Sequence, residues 1–180
     1  MKYILIPLLF LSTLSIYAKD IKLRMNLDEA FTIKENPDWN IKTDRYLTLR
    51  FADIRIFSNR GYDFDLKLYF KCDTKDLAHF NTPEKIKKSL IESSKPYLSG
   101  CLEDKVIVKK LKVKRFGFYT LLTDKDLIHK KVIPRGEYKY MTRGFFRVGN
   151  DSALGFSLMT NDIDSKEYKK MIAYILNFEI

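Results

Sequence analysis

The sequence is poor in the residues that mark metal sites and nucleophilic centres. It has two histidines, His79 and His129, and two cysteines among 180 residues. Neither histidine has a second ligand at the spacing of a zinc site, so we expect surface-loop histidines and no metal or cofactor. The sequence has no G-x-S-x-G nucleophile elbow and no glycine-rich phosphate loop. These absences favour a non-catalytic protein, although a hydrolase with a dispersed site stays open.

Two short acidic segments lack the rest of a calcium-binding pattern. Asp124 and Asp126 flank one lysine, and Asp162 and Asp164 flank one isoleucine. Neither segment has the glycine and the terminal glutamate of an EF-hand loop. We expect Asp124 to be a turn residue and Asp164 to cap a helix, with binding of a hard cation as the weaker alternative.

Glycine and proline are also scarce, with 7 and 5 residues, and no repeat or flexible linker occurs. Outside residues 1–18, no segment is apolar enough to span a bilayer. The length suits one domain with a core of its own. We therefore predict a single domain over residues 19–180, without a transmembrane segment.

Residues 1–18 have the pattern of a secretory signal peptide. Lys2 is the only charge, residues 3–14 are mostly apolar, and residues 15–18 form the region before cleavage. We expect cleavage after Ala18. An uncleaved anchor is the alternative, but the apolar run is shorter than the roughly 20 residues of a spanning helix. The protein is therefore expected in a bacterial periplasm or outside the cell.

The charge is strongly basic, with 33 Lys and Arg against 23 Asp and Glu, a formal +10. Cleavage would remove only Lys2 and leave +9. Such a charge favours an anionic partner, either an acidic protein or an anionic envelope surface, although it also simply aids solubility. Export makes nucleic acid an improbable partner.

The two cysteines form a candidate disulfide. Cys72 closes a predicted strand and Cys101 follows a predicted helix. In an oxidising compartment we expect a Cys72–Cys101 bond, with a reactive thiol as the weaker alternative because no C-x-x-C motif occurs. The loop of about 30 residues would contribute roughly 3–4 kcal/mol in the chain-entropy account.

Hydrophobic patterning predicts several strands and two helices. Strands are expected at 30–33, 46–57, 63–72, 138–148 and 154–159, with a bulge or turn at Ala52-Asp53, and residues 105–123 are expected to form two strands or one bent strand. Thr82-Pro83 begins the first helix, which ends at Ser99-Gly100. The second begins at Asp164 with Glu167 as its capping-box partner. This order predicts an α+β fold, a mostly antiparallel sheet flanked by two helices.

The order of elements resembles the PsbP-like superfamily, which includes an extrinsic lumenal protein of photosystem II and many exported bacterial proteins. The resemblance is carried by the opening from Phe31 to Trp39 with its Pro37, the Thr82-Pro83 helix start, VKRFGFYTLLTD at 113–124 and GFSLMTNDIDSKEYKKMIAYI at 155–175. It implies an α-β-α sandwich and a non-catalytic accessory or binding role. No functional residue of that family is carried over.

The most distinctive surface feature is the basic segment KKLKVKR at 109–115. In an extended strand, Lys110, Lys112 and Lys114 would share one face, about 6–7 Å apart, with Arg115 next to them. Such a row suits phosphate or carboxylate groups. The alternative is an edge strand whose lysines discourage aggregation.

These observations favour an exported, non-catalytic binding or accessory protein of the cell envelope. Its partner would contact the basic segment. A periplasmic inhibitor or immunity-type protein against a secreted toxin fits the same small size and export signal.

Overall fold

The predicted order of strands and helices is confirmed. The computed structural model describes residues 20–24, 30–34, 36, 38–46, 51–59, 63–71, 79–149 and 152–177. Their strands are β1 Asp20–Arg24, β2 Ala30–Lys34, β3 Trp39–Tyr46, β4 Phe51–Ser58, β5 Phe64–Lys71, β6 Lys109–Lys110, β7 Gly117–Thr123, β8 Tyr140–Arg147 and β9 Ala153–Thr160. Their helices are α1 Pro83–Ser94, which continues into a 3₁₀ helix Lys95–Gly100, and α2 Lys166–Leu176. The chain is therefore an α+β protein.

Seven of these strands form one open antiparallel sheet in the order β3-β4-β5-β9-β8-β7-β6. β1 and β2 pair with each other in a separate hairpin. The last strand of the chain, β9, lies between β5 and β8, so it joins the two halves of the sheet. This order leaves β3 at one edge of the described sheet and β6 at the other.

The two helices pack on opposite faces of the sheet. Phe145 packs against the cluster that contains Ile86 of α1, whereas its neighbour Phe146 belongs to the cluster that contains Met171 of α2. Successive side chains of a strand point to opposite faces. Phe118 and Tyr119 in β7 divide between the two clusters in the same way. Each helix therefore buries its own side of the sheet.

The start of α1 is as predicted. Thr82 is the N-cap, and its Oγ1 accepts a hydrogen bond from the backbone N–H of Lys85 at 3.3 Å. Pro83 occupies the first turn, where its missing N–H costs nothing. Ile86 and Leu90 are fully buried one helical turn apart. The apolar stripe therefore fixes which side of α1 faces the sheet.

The predicted cap of α2 is wrong by one residue. Ser165 is the N-cap, and its Oγ accepts from the backbone N–H of Tyr168 at 3.1 Å. The N–H of Asp164 instead donates to the side chain of Asp162 at 2.8 Å, in the turn before the helix. Met171 is fully buried in the core. None of the helices in the described ranges has the length and apolar character needed to cross a bilayer.

The predicted bulge or turn at Ala52-Asp53 is also wrong. Both residues lie inside β4, in an unbroken ladder that pairs them with Arg45 and Asp44 of β3. Since Tyr46 pairs with Phe51, the chain reverses between these two residues. The predicted strand at 46–57 therefore corresponds to β4 except at Tyr46, which ends β3, and the change from Phe51 to Ile54 and Ile56 is the ordinary alternation of faces within β4.

Candidate functional site

The basic segment lies at the outer edge of the sheet. Lys109 and Lys110 form β6 and pair with Tyr119 and Phe118 of β7. The backbone N–H of Leu111 then donates to the carbonyl of Gly117 at 2.9 Å. Beyond that bond the chain leaves the ladder and bends at 114–115. The predicted strand over this segment is thus reduced to two paired residues.

The alternation of side chains expected for this segment is present. Leu111 is buried at 5% exposure, whereas the lysines on either side of it are exposed. We call the four exposed cations of this segment the basic edge. They are Lys110, Lys112, Lys114 and Arg115. The first two flank the buried leucine, and the other two follow on the bend.

A pocket of about 400 Å³ lies between this edge and α2, and we call it the α2 pocket. Its walls are apolar or aromatic, formed by Leu111, Tyr119, Tyr168, Ile172, Ala173 and Leu176. Its remaining lining residues are Lys110, Lys112 and Lys169. No acidic residue is among those that line it. The lining is therefore mostly apolar or aromatic, and its charged members are all lysines.

A buried hydrogen bond holds one wall of the α2 pocket. The hydroxyl groups of Tyr168 and Thr142 lie 2.8 Å apart, and Thr142 is fully buried in β8. Burial raises the pKa of Tyr168 above its ordinary value, so the phenol is neutral at physiological pH. This bond ties α2 to the sheet next to the pocket.

A second cavity, which we call the tyrosine cleft, has a volume of about 620 Å³. Its floor is formed by Leu122, Met141 and Met159, which are directly paired across β7, β8 and β9. Its other lining residues include three tyrosines, three acids and two lysines: Tyr97, Tyr138, Tyr140, Asp124, Asp126, Glu137, Lys130 and Lys139. This cleft therefore has charges of both signs.

Cys101 also lines the tyrosine cleft, and it forms no disulfide with any described residue. Its Sγ lies 3.2 Å from the carbonyl oxygen of Tyr97. Burial raises the pKa of Cys101, and the carboxylates of Glu103 and Asp124 raise it further. The predicted partner, Cys72, lies outside the described residues, so the disulfide stays a prediction.

The residues considered for metal or catalytic chemistry do not come together. His79 and His129 are both exposed. The predicted turn role of Asp124 is confirmed, because its Oδ1 accepts from the backbone N–H groups of Asp126 and Leu127, both at 2.9 Å. Within the described part of the chain, no three His, Cys, Asp or Glu side chains are grouped as metal ligands.

Sequence reasoning missed an ion pair on the α1 side of the sheet. Asp65 is buried at 1% exposure, and both of its oxygens accept from Nε of Arg55 at 2.9 Å. Arg55 is directly paired with Lys42 and Lys67 on neighbouring strands. Lys42 and Arg55 both lie 5.5 Å from the ring of Phe57. This face therefore carries its cations next to a buried acid, unlike the α2 pocket.

Comparison with known proteins adds no relative. No protein-family model matches the chain, and no curated protein matches its sequence. The argument for function therefore rests on the geometry of the surfaces described above.

Proposed function

We propose that this chain is an exported, non-catalytic binding protein of the cell envelope that contacts an anionic partner through the basic edge. The observation that carries the proposal is the run of four exposed cations at the outer edge of the described sheet, two of which are among the lining residues of a pocket that has no acid in its lining. Lys110 and Lys112 belong to both the basic edge and the pocket. An anion placed there would meet attraction without a competing carboxylate in the lining.

The position of this segment at the edge of the sheet supports a binding role. β6 is the last strand of the described sheet, so one side of it is not paired with another described strand. An edge strand can accept a partner chain, and lysines on it select against partners without negative charge. An acidic protein or an anionic envelope surface fits both properties.

The proposal includes the location and the fold resemblance. A signal peptide at 1–18, cleaved after Ala18, would deliver the chain to the periplasm or the medium. The packing of α1 and α2 on opposite faces of one sheet supports the resemblance to the PsbP-like α-β-α sandwich. That resemblance in turn favours an accessory role over catalysis.

Affinity capture from the producing cell tests the proposal. The cells are crosslinked, the mature chain is purified, and retained proteins and lipids are identified by mass spectrometry. The test variant carries Lys110→Glu and Lys112→Glu. The control carries Lys95→Glu and Lys105→Glu, two exposed lysines outside the pocket with the same change of charge.

We expect the wild type and the control to retain the same partner and the Lys110/Lys112 variant to lose most of it. Equal recovery with all three proteins would show that the basic edge is not the contact surface. A secreted toxin as the retained partner would replace the accessory role with that of an inhibitor.

A further inference from the structure

One row of directly paired residues on the α1 face of the sheet is polar throughout. Arg143 of β8 pairs with Thr120 of β7 on one side and with Ser157 of β9 on the other. Ser157 in turn pairs with Lys67 of β5. The row is on the α1 face because Phe118, two residues before Thr120, packs against α1. Arg143 therefore lies between two hydroxyl residues, with a lysine on the strand beyond Ser157.

Arg143 is a buried cation without a counter-charge. Its exposure is 8%, and its Nε is buried with no hydrogen-bond partner. Among the described residues, no carboxylate forms an ion pair with it. Arginine stays charged at every physiological pH, and burial of a charge is costly unless the charge is paired. The fold therefore places one buried positive charge where an anion would lower its cost.

The ring of Tyr97 covers this guanidinium without using its hydrogen-bond donors. Cζ of Arg143 lies over the ring, 4.6 Å from the ring centroid. This contact attracts the positive charge but supplies no oxygen acceptor, so the N–H groups keep their capacity for an anion. Neither terminal nitrogen is a buried atom without a partner, and no described residue bonds them, so both retain contact with solvent. A small ligand can therefore reach the end of the Arg143 side chain.

Two buried hydroxyl groups add to the unused polar capacity of this layer. Thr120 Oγ1 and Ser94 Oγ are both buried and without a hydrogen-bond partner. Ser94 follows Leu90 on the buried stripe of α1, and it is three residues before Tyr97. It therefore faces the sheet within one turn of the residue that contacts Arg143. Buried polar atoms are normally bonded, so unused atoms on both sides of one layer favour a polar ligand there.

Lys67 supplies a second positive charge on the same face. Its side chain is exposed, and none of the described ion pairs includes it. Because β9 lies between β5 and β8, the backbones of Lys67 and Arg143 are separated by about 10 Å, twice the strand spacing. Ser157 lies between them, and its hydroxyl bonds that of Tyr69. Two long cationic side chains at this separation can contact one anion above the serine.

The number of donors favours a phosphate group over a carboxylate. A carboxylate has two oxygens, and one guanidinium can bind both of them. A phosphate monoester has three free oxygens and a charge of about −1.5 to −2 at neutral pH, so it can use a second cation as well. The buried carboxylate of Asp65, two residues before Lys67, is already bonded to Arg55.

We propose that Arg143 and Lys67 bind the phosphate group of a small phosphomonoester on the α1 face, above Ser157. The site uses none of the residues of the basic edge. It therefore goes beyond the proposed function and is tested without it.

Calorimetric titration of the mature chain in phosphate-free buffer tests the proposal. The probes are glycerol 3-phosphate, inorganic phosphate and acetate. We expect saturable binding of both phosphates and at least about tenfold weaker binding of acetate. Arg143→Met should weaken phosphate binding by at least about tenfold, because charge-assisted hydrogen bonds are lost. Arg135→Met makes the same change at an exposed position and should bind as the wild type does.

A second pair of variants tests the site without altering the buried layer. Lys67→Glu reverses an exposed charge and should weaken phosphate binding by about fivefold or more, because the new carboxylate repels the anion. Lys105→Glu makes the same change at another exposed position and should leave binding unchanged. This pair decides the question even if Arg143→Met does not fold.

Melting temperatures separate a ligand site from a structural role. Without phosphate, Arg143→Met should be at least as stable as the wild type, because an apolar side chain replaces an unpaired buried charge. Phosphate should raise the melting temperature of the wild type and leave that of Arg143→Met unchanged.

Three results would overturn the proposal. They are no saturable phosphate binding by the wild type, equal phosphate affinity of the wild type and folded Arg143→Met, and equal affinity of Lys67→Glu and Lys105→Glu. Acetate binding as tight as that of glycerol 3-phosphate would overturn the assignment to phosphate. None of these results bears on the basic edge, which is tested by capture of the cellular partner with Lys110 and Lys112 reversed.

Discussion

Gly144 in β8 lies directly opposite Phe156 in β9, and the Phe156 ring occupies the space where a side chain would be. A Cβ built at Gly144 would lie 2.3 and 2.5 Å from two atoms of that ring. It would also lie 2.8 Å from the backbone oxygen of Phe118. Observed Cβ contacts are essentially never shorter than 3.0 Å. Gly144→Ala therefore forces the two strands or the ring to move.

The ring has little freedom to move. Phe156 is fully buried and packs edge-on against Phe146, with ring centroids 6.3 Å apart. Overpacking of a filled core costs about 1–3 kcal/mol, and contact with a backbone oxygen as well as a ring favours the upper part of that range. At roughly 2–4 °C per kcal/mol for a chain of this size, 3 kcal/mol lowers the melting temperature by about 6–12 °C.

Urea unfolding of the mature chain measures this loss against a matched substitution. Gly100→Ala is the control, because a Cβ at Gly100 meets no atom within 4 Å, and its stability should stay within about 0.5 kcal/mol of the wild type. Adding Phe156→Leu to Gly144→Ala should cost less than the two single changes together, because the ring that causes the clash is gone. Equal stability of the two alanine variants, or strictly additive losses, would refute the steric argument.

Two further predictions follow from the ionisable groups. Because burial and neighbouring carboxylates raise the pKa of Cys101, iodoacetamide should alkylate the reduced protein at pH 7.5 more slowly than it alkylates free cysteine. Glu103→Gln should speed that reaction. An unchanged rate would contradict the contribution of the Glu103 carboxylate to the raised pKa of Cys101. Burial raises the pKa of Tyr174 to about 12, so the native state keeps the phenolic proton that the unfolded state loses near pH 10. Stability should therefore fall as the pH rises from about 10 to 12, and Tyr174→Phe should weaken that dependence in alkaline unfolding titrations.

The elements that sequence patterns located correctly are those with one buried and one exposed side. β5 alternates Phe64, Leu66 and Leu68, all buried, with polar residues, of which Lys67 is exposed and Asp65 is buried in its ion pair, and it was predicted within one residue at each end. The start of α1 was predicted from the Thr82-Pro83 cap, which the structure retains. Such elements carry their own burial pattern, so no knowledge of their neighbours is needed.

β3 was missed because its pattern depends on a distant partner. It contains Trp39 and Ile41 but otherwise polar residues, so its alternation is weak. Trp39 is held by ring contacts with Phe64 and Tyr174, at centroid distances of 6.2 and 5.6 Å. Those partners are 25 and 135 positions away in the sequence. A strand at an edge that is stabilised in this way has no local signal strong enough to identify it.

The candidate site was predictable only in its charged half. Lys110 and Lys112 were visible because lysines alternate with apolar residues around Leu111. The other wall comes from α2, where Ile172 and Leu176 are only half-buried. The juxtaposition depends on β7 lying next to β6 and on α2 packing on that face, and neither follows from local periodicity.

The larger cavity is not the better site for an anion. The tyrosine cleft has three acids and two lysines in its lining, whereas the α2 pocket has three lysines and no acid. The two cavities lie on opposite faces of the sheet. Leu122 in the cleft floor is four residues after Phe118 in β7, so it shares the α1 face. Tyr119, which lines the α2 pocket, lies on the opposite face. Since exposed charges are screened over about 8 Å at physiological ionic strength, each cavity acts on a ligand mainly through its own lining. The excess of 10 positive charges is therefore informative only through its local distribution, which differs between the linings of the two cavities.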